Sequence, residues 1–217
     1  MDITKANEIL EYWFPKDGKP DFPKWFTNSR QYDQEITEKF GDLLKEAEKG
    51  KGYGWLVNKD SYLAYIILID QFSRHIYRDT KDAYKNDKGV LLFTELGFDL
   101  YKEDLSGYQF MFAFMPYMHT ESQLFQEKGL QKFQTYKTQK NKGLHLSIRE
   151  NPLVIGKMSK LQNDLKVLKS MDSHVIGHHQ TIQQFGRFPK RNQALGRSTT
   201  QQEYTYLNQE EVQQRPY

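Results

Sequence analysis

The stretch Ser61-Tyr62-Leu63-Ala64-Tyr65-Ile66-Ile67-Leu68-Ile69-Asp70-Gln71-Phe72-Ser73-Arg74-His75-Ile76-Tyr77 decides the fold class. Its apolar run, Tyr62 to Ile69, is 8 residues long, far short of the roughly 20 that a membrane span requires. Periodicity alone does not separate a buried helix from a buried strand in such a run. Length and the absence of Gly and Pro favour the helix. Asp70 and Arg74 stand four apart in it, so on a helix they share a face and can pair. Desolvating either charge alone would be costly. Tyr77 and Arg78 come one turn later.

On either side of this segment the pattern is also helical. Ala6, Ile9, Leu10 and Trp13 mark one face of a short helix that stops before Pro15. Pro15 to Pro23 reads as a loop, with Trp25 and Phe26 anchoring its far end. Tyr32, Ile36, Phe40, Leu43, Leu44 and Ala47 describe a longer amphipathic helix that runs out at Gly50. Downstream, a helix is predicted from Asn86 through Leu96, closed by Gly97. Phe110 to Phe114 is an aromatic run ended by Pro116. Thr120-Glu121-Ser122-Gln123 has the form of a capping box, which predicts a helix from Glu121 to about Thr138. Asn141 to Pro152 reads as a loop, and Leu153 to Phe185 as a helix ended by Gly186 and Pro189. The chain shows no internal repeat and no sustained heptads. The expectation is an all-α array over residues 1–217, one domain, with a Gln-rich tail after Thr200.

Composition narrows the class further. The absence of Cys excludes disulfides, zinc thiolate sites and cysteine nucleophiles, and makes the cytoplasm or another reducing compartment the default. Met1 to Phe14 lacks the pattern of a secretory signal. With 14 Tyr and 14 Phe, the core is expected to be rich in aromatic rings. A net charge of +3 is too small to argue for nucleic acid. The charge is uneven, however: Lys137 to Lys169 holds 8 Lys or Arg against Glu150 and Asp164. That basic segment is either a solvated helix face or a contact surface for an acidic partner.

Several side chains could carry chemistry. Tyr117, His119 and Glu121 cluster around a predicted helix start, where free amides favour anions. His119 there is either an acid or base, or an ordinary hydrogen-bonding group. Asp70, His119 and Glu121 are metal-ligand types without a metal-ligand spacing, and no metal site is expected. His174 and His178 share a helical face but lack the intervening glutamate of a zinc-protease helix. Phe185-Gly186-Arg187-Phe188-Pro189-Lys190-Arg191-Asn192 displays three cations and an amide on an aromatic hinge. No phosphate loop, nucleophile elbow or dinucleotide fingerprint occurs, so no cofactor is predicted.

Three separated motifs, Asp70-Gln71-Phe72-Ser73-Arg74 with Tyr77-Arg78, Pro116-Tyr117-Met118-His119-Thr120-Glu121, and His178 with Phe185 to Asn192 and Leu195 to Thr199 after it, together resemble the domain-of-unknown-function 924 family. The likeness extends from Leu10 to Phe14, through Trp25, Phe26 and Asp33, to Glu203 and Leu207. It implies an all-helical, tetratricopeptide-like superhelix. It also implies that about Lys140 to Gln162 is an insertion, and that Ser73 and Lys190 replace what are often Pro and His. No activity comes with the resemblance.

These residues support two functional expectations. In one, Asp70, Arg74, Tyr77, Arg78, Arg187, Arg191 and Asn192 form a pocket for a small anionic ligand, with His119, Glu121 and His178 as acid–base groups of hydrolase-like chemistry. In the other, the polar motifs are internal struts, and the basic segment and tail contact a protein partner in a non-enzymatic module.

Overall fold

The computed structural model describes residues 4–27, 29–150 and 155–213, and every regular element among them is helical. In chain order these are α1 (Lys5–Trp13), α2 (Phe22–Phe26), α3 (Arg30–Glu46), α4 (Lys59–Ile66), α5 (Ser73–Ile76), α6 (Asp87–Tyr101), α7 (Gly107–His119), α8 (Gln123–Glu150), α9 (Ile155–Phe185) and α10 (Gln201–Gln213). Short 3-10 and π turns join several of them. Among the described residues no helix is long and apolar enough to cross a membrane.

The segment that decides the fold class is the spine of the molecule. It starts at Asn58, whose side chain accepts from the amides of Asp60 and Ser61, both at 3.0 Å, closing orphan donors of the first turn. α4 then passes into a π-helical segment, Ile67–Phe72, before α5 resumes the α geometry. The wider π turn takes up an extra residue and re-phases the side chains of α5. All six of its side chains are buried, Asp70 and Gln71 included. Ser73, where the family resemblance often has Pro, donates its hydroxyl to the Ile69 carbonyl at 2.7 Å.

Around this spine pack α1, α3, α6 and α7. The aromatic richness of the sequence is spent here: Trp13, Phe72 and Phe112 meet edge to face, and Phe110 stacks on Tyr136 with ring centroids 4.1 Å apart. α7 is buried from Phe110 to Met118. Its N-terminus carries a capping box between Ser106 and Gln109, and Asp164 of α9 accepts from the Gly107 amide at 2.7 Å.

Four predicted boundaries move. α7 runs on through Pro116 to His119, where the letters end the aromatic run at that proline. α6 continues through Gly97 to Tyr101, because Gly97 is there for packing: a Cβ at that position would stand 2.5 Å from the Tyr62 ring. The predicted capping box at Thr120 does not form; Thr120 Oγ1 accepts from Ser122, the Ser122 carbonyl accepts from Gln126, and α8 begins at Gln123. α8 also continues to Glu150, where the letters predict a loop from Asn141. Gly143 faces Leu161 of α9, 3.8 Å from where its Cβ would lie, so the polar run is held helical by its neighbour. Asn151, Pro152, Leu153 and Val154 lie outside the described residues. Gly186, at φ +68°, ends α9 as expected.

With 28 residues in α8 and 31 in α9 against 13 in α7, the α8–α9 hairpin outruns α7 by roughly 20 Å at 1.5 Å per residue. Part of its basic excess is neutralised within the fold, Lys137 by Asp172 and Lys140 by Glu103. Lys142, Lys160, Lys166 and Lys169 remain exposed.

Candidate functional site

The π turn delivers Asp70 to the end of α7. Its carboxylate is fully buried, and the His119 Nδ1 lies 2.8 Å from Oδ1 and 2.9 Å from Oδ2. A ring nitrogen gripped by both oxygens of a carboxylate carries its hydrogen there, which leaves Nε2 with the lone pair in the neutral imidazole. The His119 side chain is 19% exposed while Asp70 is sealed, and Nε2 is not among the sealed polar atoms that lack a partner. Gln71 and Arg74 complete the carboxylate's partners, the latter at 3.3 Å. Burial by itself raises the Asp70 carboxyl, but the pull of His119 and Arg74 and these hydrogen bonds outweigh it and hold it down to about 2.

A second carboxylate, Asp87 in the first turn of α6, ties two motifs together. Its Oδ1 accepts from Arg74 and its Oδ2 from Arg191, each at 2.8 Å. Arg191 also donates to the His119 carbonyl at 2.9 Å, and its guanidinium lies over the Tyr84 and Phe188 rings. Two cations therefore meet two carboxylates, and the cluster is close to neutral. The guanidiniums are not saturated: Arg191 spends two of its five N–H donors, on Asp87 and the His119 carbonyl.

His178 stands beside this group, its ring centroid 6.4 Å from that of His119 and 5.4 Å from Phe188. Its Nδ1 donates to the His174 carbonyl at 2.8 Å, leaving Nε2 as an acceptor. Burial, with His119 and Arg191 nearby, pushes its pKa down to about 4, so it is neutral at pH 7. Glu121 is held by Arg197 at 2.7 Å and by the Phe188 amide at 2.8 Å. Burial opposes its ionisation, and the Arg197 and Phe188 hydrogen bonds win and lower its pKa. It braces the loop that carries Arg191, and none of its hydrogen bonds among the described residues goes to the His119 ring.

Thus Asp70, Arg74, His119, His178 and Arg191 share one site. Tyr77 and Arg78 belong elsewhere: Tyr77 donates to Glu48, and Arg78 forks onto Asp33 at 2.6 and 2.7 Å. Arg187 binds Glu203 and the Ser198 carbonyl, while Asn192 reaches Thr199 and Glu203 and accepts from Arg197. These last two fasten the C-terminal segment. Asp87 was not legible as a site residue, since a lone Asp in a first helical turn is common. The same holds for a second carboxylate–imidazole pair, His75 Nδ1 on Asp33 at 2.8 Å, with His75 only 6% exposed against the Trp13 ring. Among the described residues no three His, Asp or Glu side chains are placed to hold a metal ion.

Fold and site together define an all-α protein organised around a sealed carboxylate that grips a partly exposed histidine. The chain belongs to the DUF924 family, described as bacterial protein of unknown function, whose model matches residues 9–211. It is similar to a protein of unknown function from Agrobacterium tumefaciens of solved structure, at 26% identity and a TM-score of 0.69, over 95% of this chain and 98% of that one. No curated protein matches.

Proposed function

We propose that Asp70 and His119 form the acid–base centre of a small-molecule site, with hydrolase-like chemistry as its class. The two-oxygen grip of the buried Asp70 carboxylate on His119 Nδ1 carries this reading. A positioned imidazole with a bare, solvent-reaching Nε2 is equipped to take a proton from water or from a substrate hydroxyl and to return it to a leaving group. Asp70 fixes the tautomer and stabilises the imidazolium that forms. The unspent N–H donors of Arg191, beside the His119 carbonyl, suit the oxygens of an anionic ligand. Because Asp87 already balances the charge, such a ligand gains from hydrogen bonds more than from net attraction.

The test uses inorganic phosphate as a binding probe and p-nitrophenyl acetate and phosphate as turnover probes. Phosphate is expected to shift the His119 ring resonances, and Arg191→Gln to weaken that response. His119→Ala is expected to lower turnover by about 100-fold or more, the usual range for a lost general base. Turnover and phosphate response that are the same in His119→Ala, Asp70→Asn and wild type would sink the reading.

A second reading rests on the α8–α9 hairpin, which carries Lys142, Lys160, Lys166 and Lys169 on its surface with Leu146 54% exposed. In it the protein is a non-enzymatic interaction module of tetratricopeptide-like build, and the hairpin meets an acidic partner.

A further inference from the structure

Helix α6 has two apolar faces where a surface helix needs one. The inner face puts Val90, Phe93, Gly97 and Phe98 into the core. On the outer face Leu92, Leu96 and Leu100 recur every four residues, 55%, 57% and 70% exposed. The same step in either direction reaches Lys88 and Asp104, both exposed and neither in an ion pair among the described residues. The carboxylates bordering this ridge differ, since Glu95 is held by Lys128 and Asp99 by Lys102 and Lys132.

Lys88 and Asp104 are set against their own helix. A cation stands in the first turn and an anion in the 3-10 turn that continues the last (Lys102–Asp104), whereas the helix dipole favours the reverse order. An antiparallel copy of the same helix corrects both placements at once. The positions 88, 92, 96, 100 and 104 are symmetric about Leu96 and change sign from end to end.

We infer that this ridge is an interface between two copies of the chain, packed antiparallel about a twofold axis near Leu96. Rows spaced by four residues are those that interdigitate in the commonest class of helix packing, and a twofold interface must be complementary to itself. Leu92 then faces Leu100 of the second copy, and Lys88 approaches Asp104 of the second copy at each end, about 24 Å apart along the helix. The dimer sets the Asp87 end of each α6 against the far end of its counterpart.

Sedimentation velocity of the full chain up to about 100 μM reads the result, in the range where a small interface gives measurable association. The wild type is expected to dimerise reversibly. Leu96→Asp places two carboxylates on the axis and should leave only monomer; Leu96 is exposed, and circular dichroism checks that the fold persists. Lys88→Asp and Asp104→Lys should each weaken the dimer by about three- to tenfold, the scale of exposed ion pairs, and the double swap should restore it. Both swaps suit the helix dipole, so weakening cannot be ascribed to a lost helix. A wild type that stays monomeric, a dimer indifferent to Leu96→Asp, or a double swap no better than the single ones overturns the proposal.

Discussion

His119 and His75 sit in matching settings, each with Nδ1 on a carboxylate, and differ in what is left over. His119 is 19% exposed and His75 6%, so the first can meet a solute and the second is a strut beneath Trp13. Ring nitrogen chemical shifts at pH 8 are expected to show Nδ1 protonated and Nε2 bare in His119. Asp70→Asn should blur that preference, and an unaltered tautomer would argue that the carboxylate does not set it. Acid stability tests His178 and Asp70 in two successive windows. His178 has a folded value of about 4 against an ordinary 6.5, so the unfolded chain binds the extra proton and stability drops as pH falls from 6.5 to 4. Asp70, at about 2 against 3.8, contributes stability that is intact above 3.8 and is lost towards 2, on the order of 2 kcal/mol. Chemical unfolding against pH should lose the upper part of this acid limb in His178→Asn and the lower part in Asp70→Asn. The pair Asp70 and Arg74 was legible because charges in a greasy run stand out. Asp87 was not, because nothing local marks a surface-type carboxylate that the fold turns inward from 13 residues away; Asp33 entered only through the family resemblance, and its pairing with Arg78, 45 residues on, was not legible.

At the scale of elements, the helical periodicity of the chain translated well, and two of the misplaced boundaries turn on a glycine. A glycine has two uses, ending a helix or letting another element come close, and the letters do not distinguish them. Gly50 and Gly186 take positive φ and do the former; Gly97 and Gly143 lie inside helices and face Tyr62 and Leu161. Gly97→Ala separates the two uses. Helix propensity alone predicts a gain of up to about 1 kcal/mol, but the new methyl would stand 2.5 Å from a fully buried ring. Overpacking costs about 1–3 kcal/mol, so a net fall in unfolding free energy is expected in urea titration. A stabilised variant would mean that α4 and α6 are less tightly opposed than described. The π turn was equally beyond the sequence: its 6 residues are apolar enough for any buried helix, and only the facing helices decide where an extra residue is absorbed.

For the whole molecule, the hairpin poses the main question of use. Asp164, which caps α7, and Lys140, which pairs with Glu103, both lie outside residues 141–162. Replacing 141–162 by a short Gly-Ser turn is therefore expected to leave thermal unfolding within a few degrees of the full chain. Loss of cooperative unfolding would show that the hairpin is part of the core. If the shortened chain also keeps phosphate binding and turnover, the two functional readings occupy separate regions of the protein.

The Arg191 bond to Asp87 spans 104 residues of chain, and those from Arg197 to Glu121 span 76. During synthesis the helices up to α7 can pack as they emerge, since N-terminal parts of a chain fold first. Asp87 then has only Arg74 of its two arginines, and Glu121 waits with its charge bare until the last stretch of chain arrives, and contacts so distant in sequence form slowly. Closure of the site thus doubles as a completion mark: a chain interrupted before Arg191 keeps most of its helices yet leaves Glu121 unmatched and Asp87 with one arginine in place of two, which sets an unfinished copy apart from a finished one.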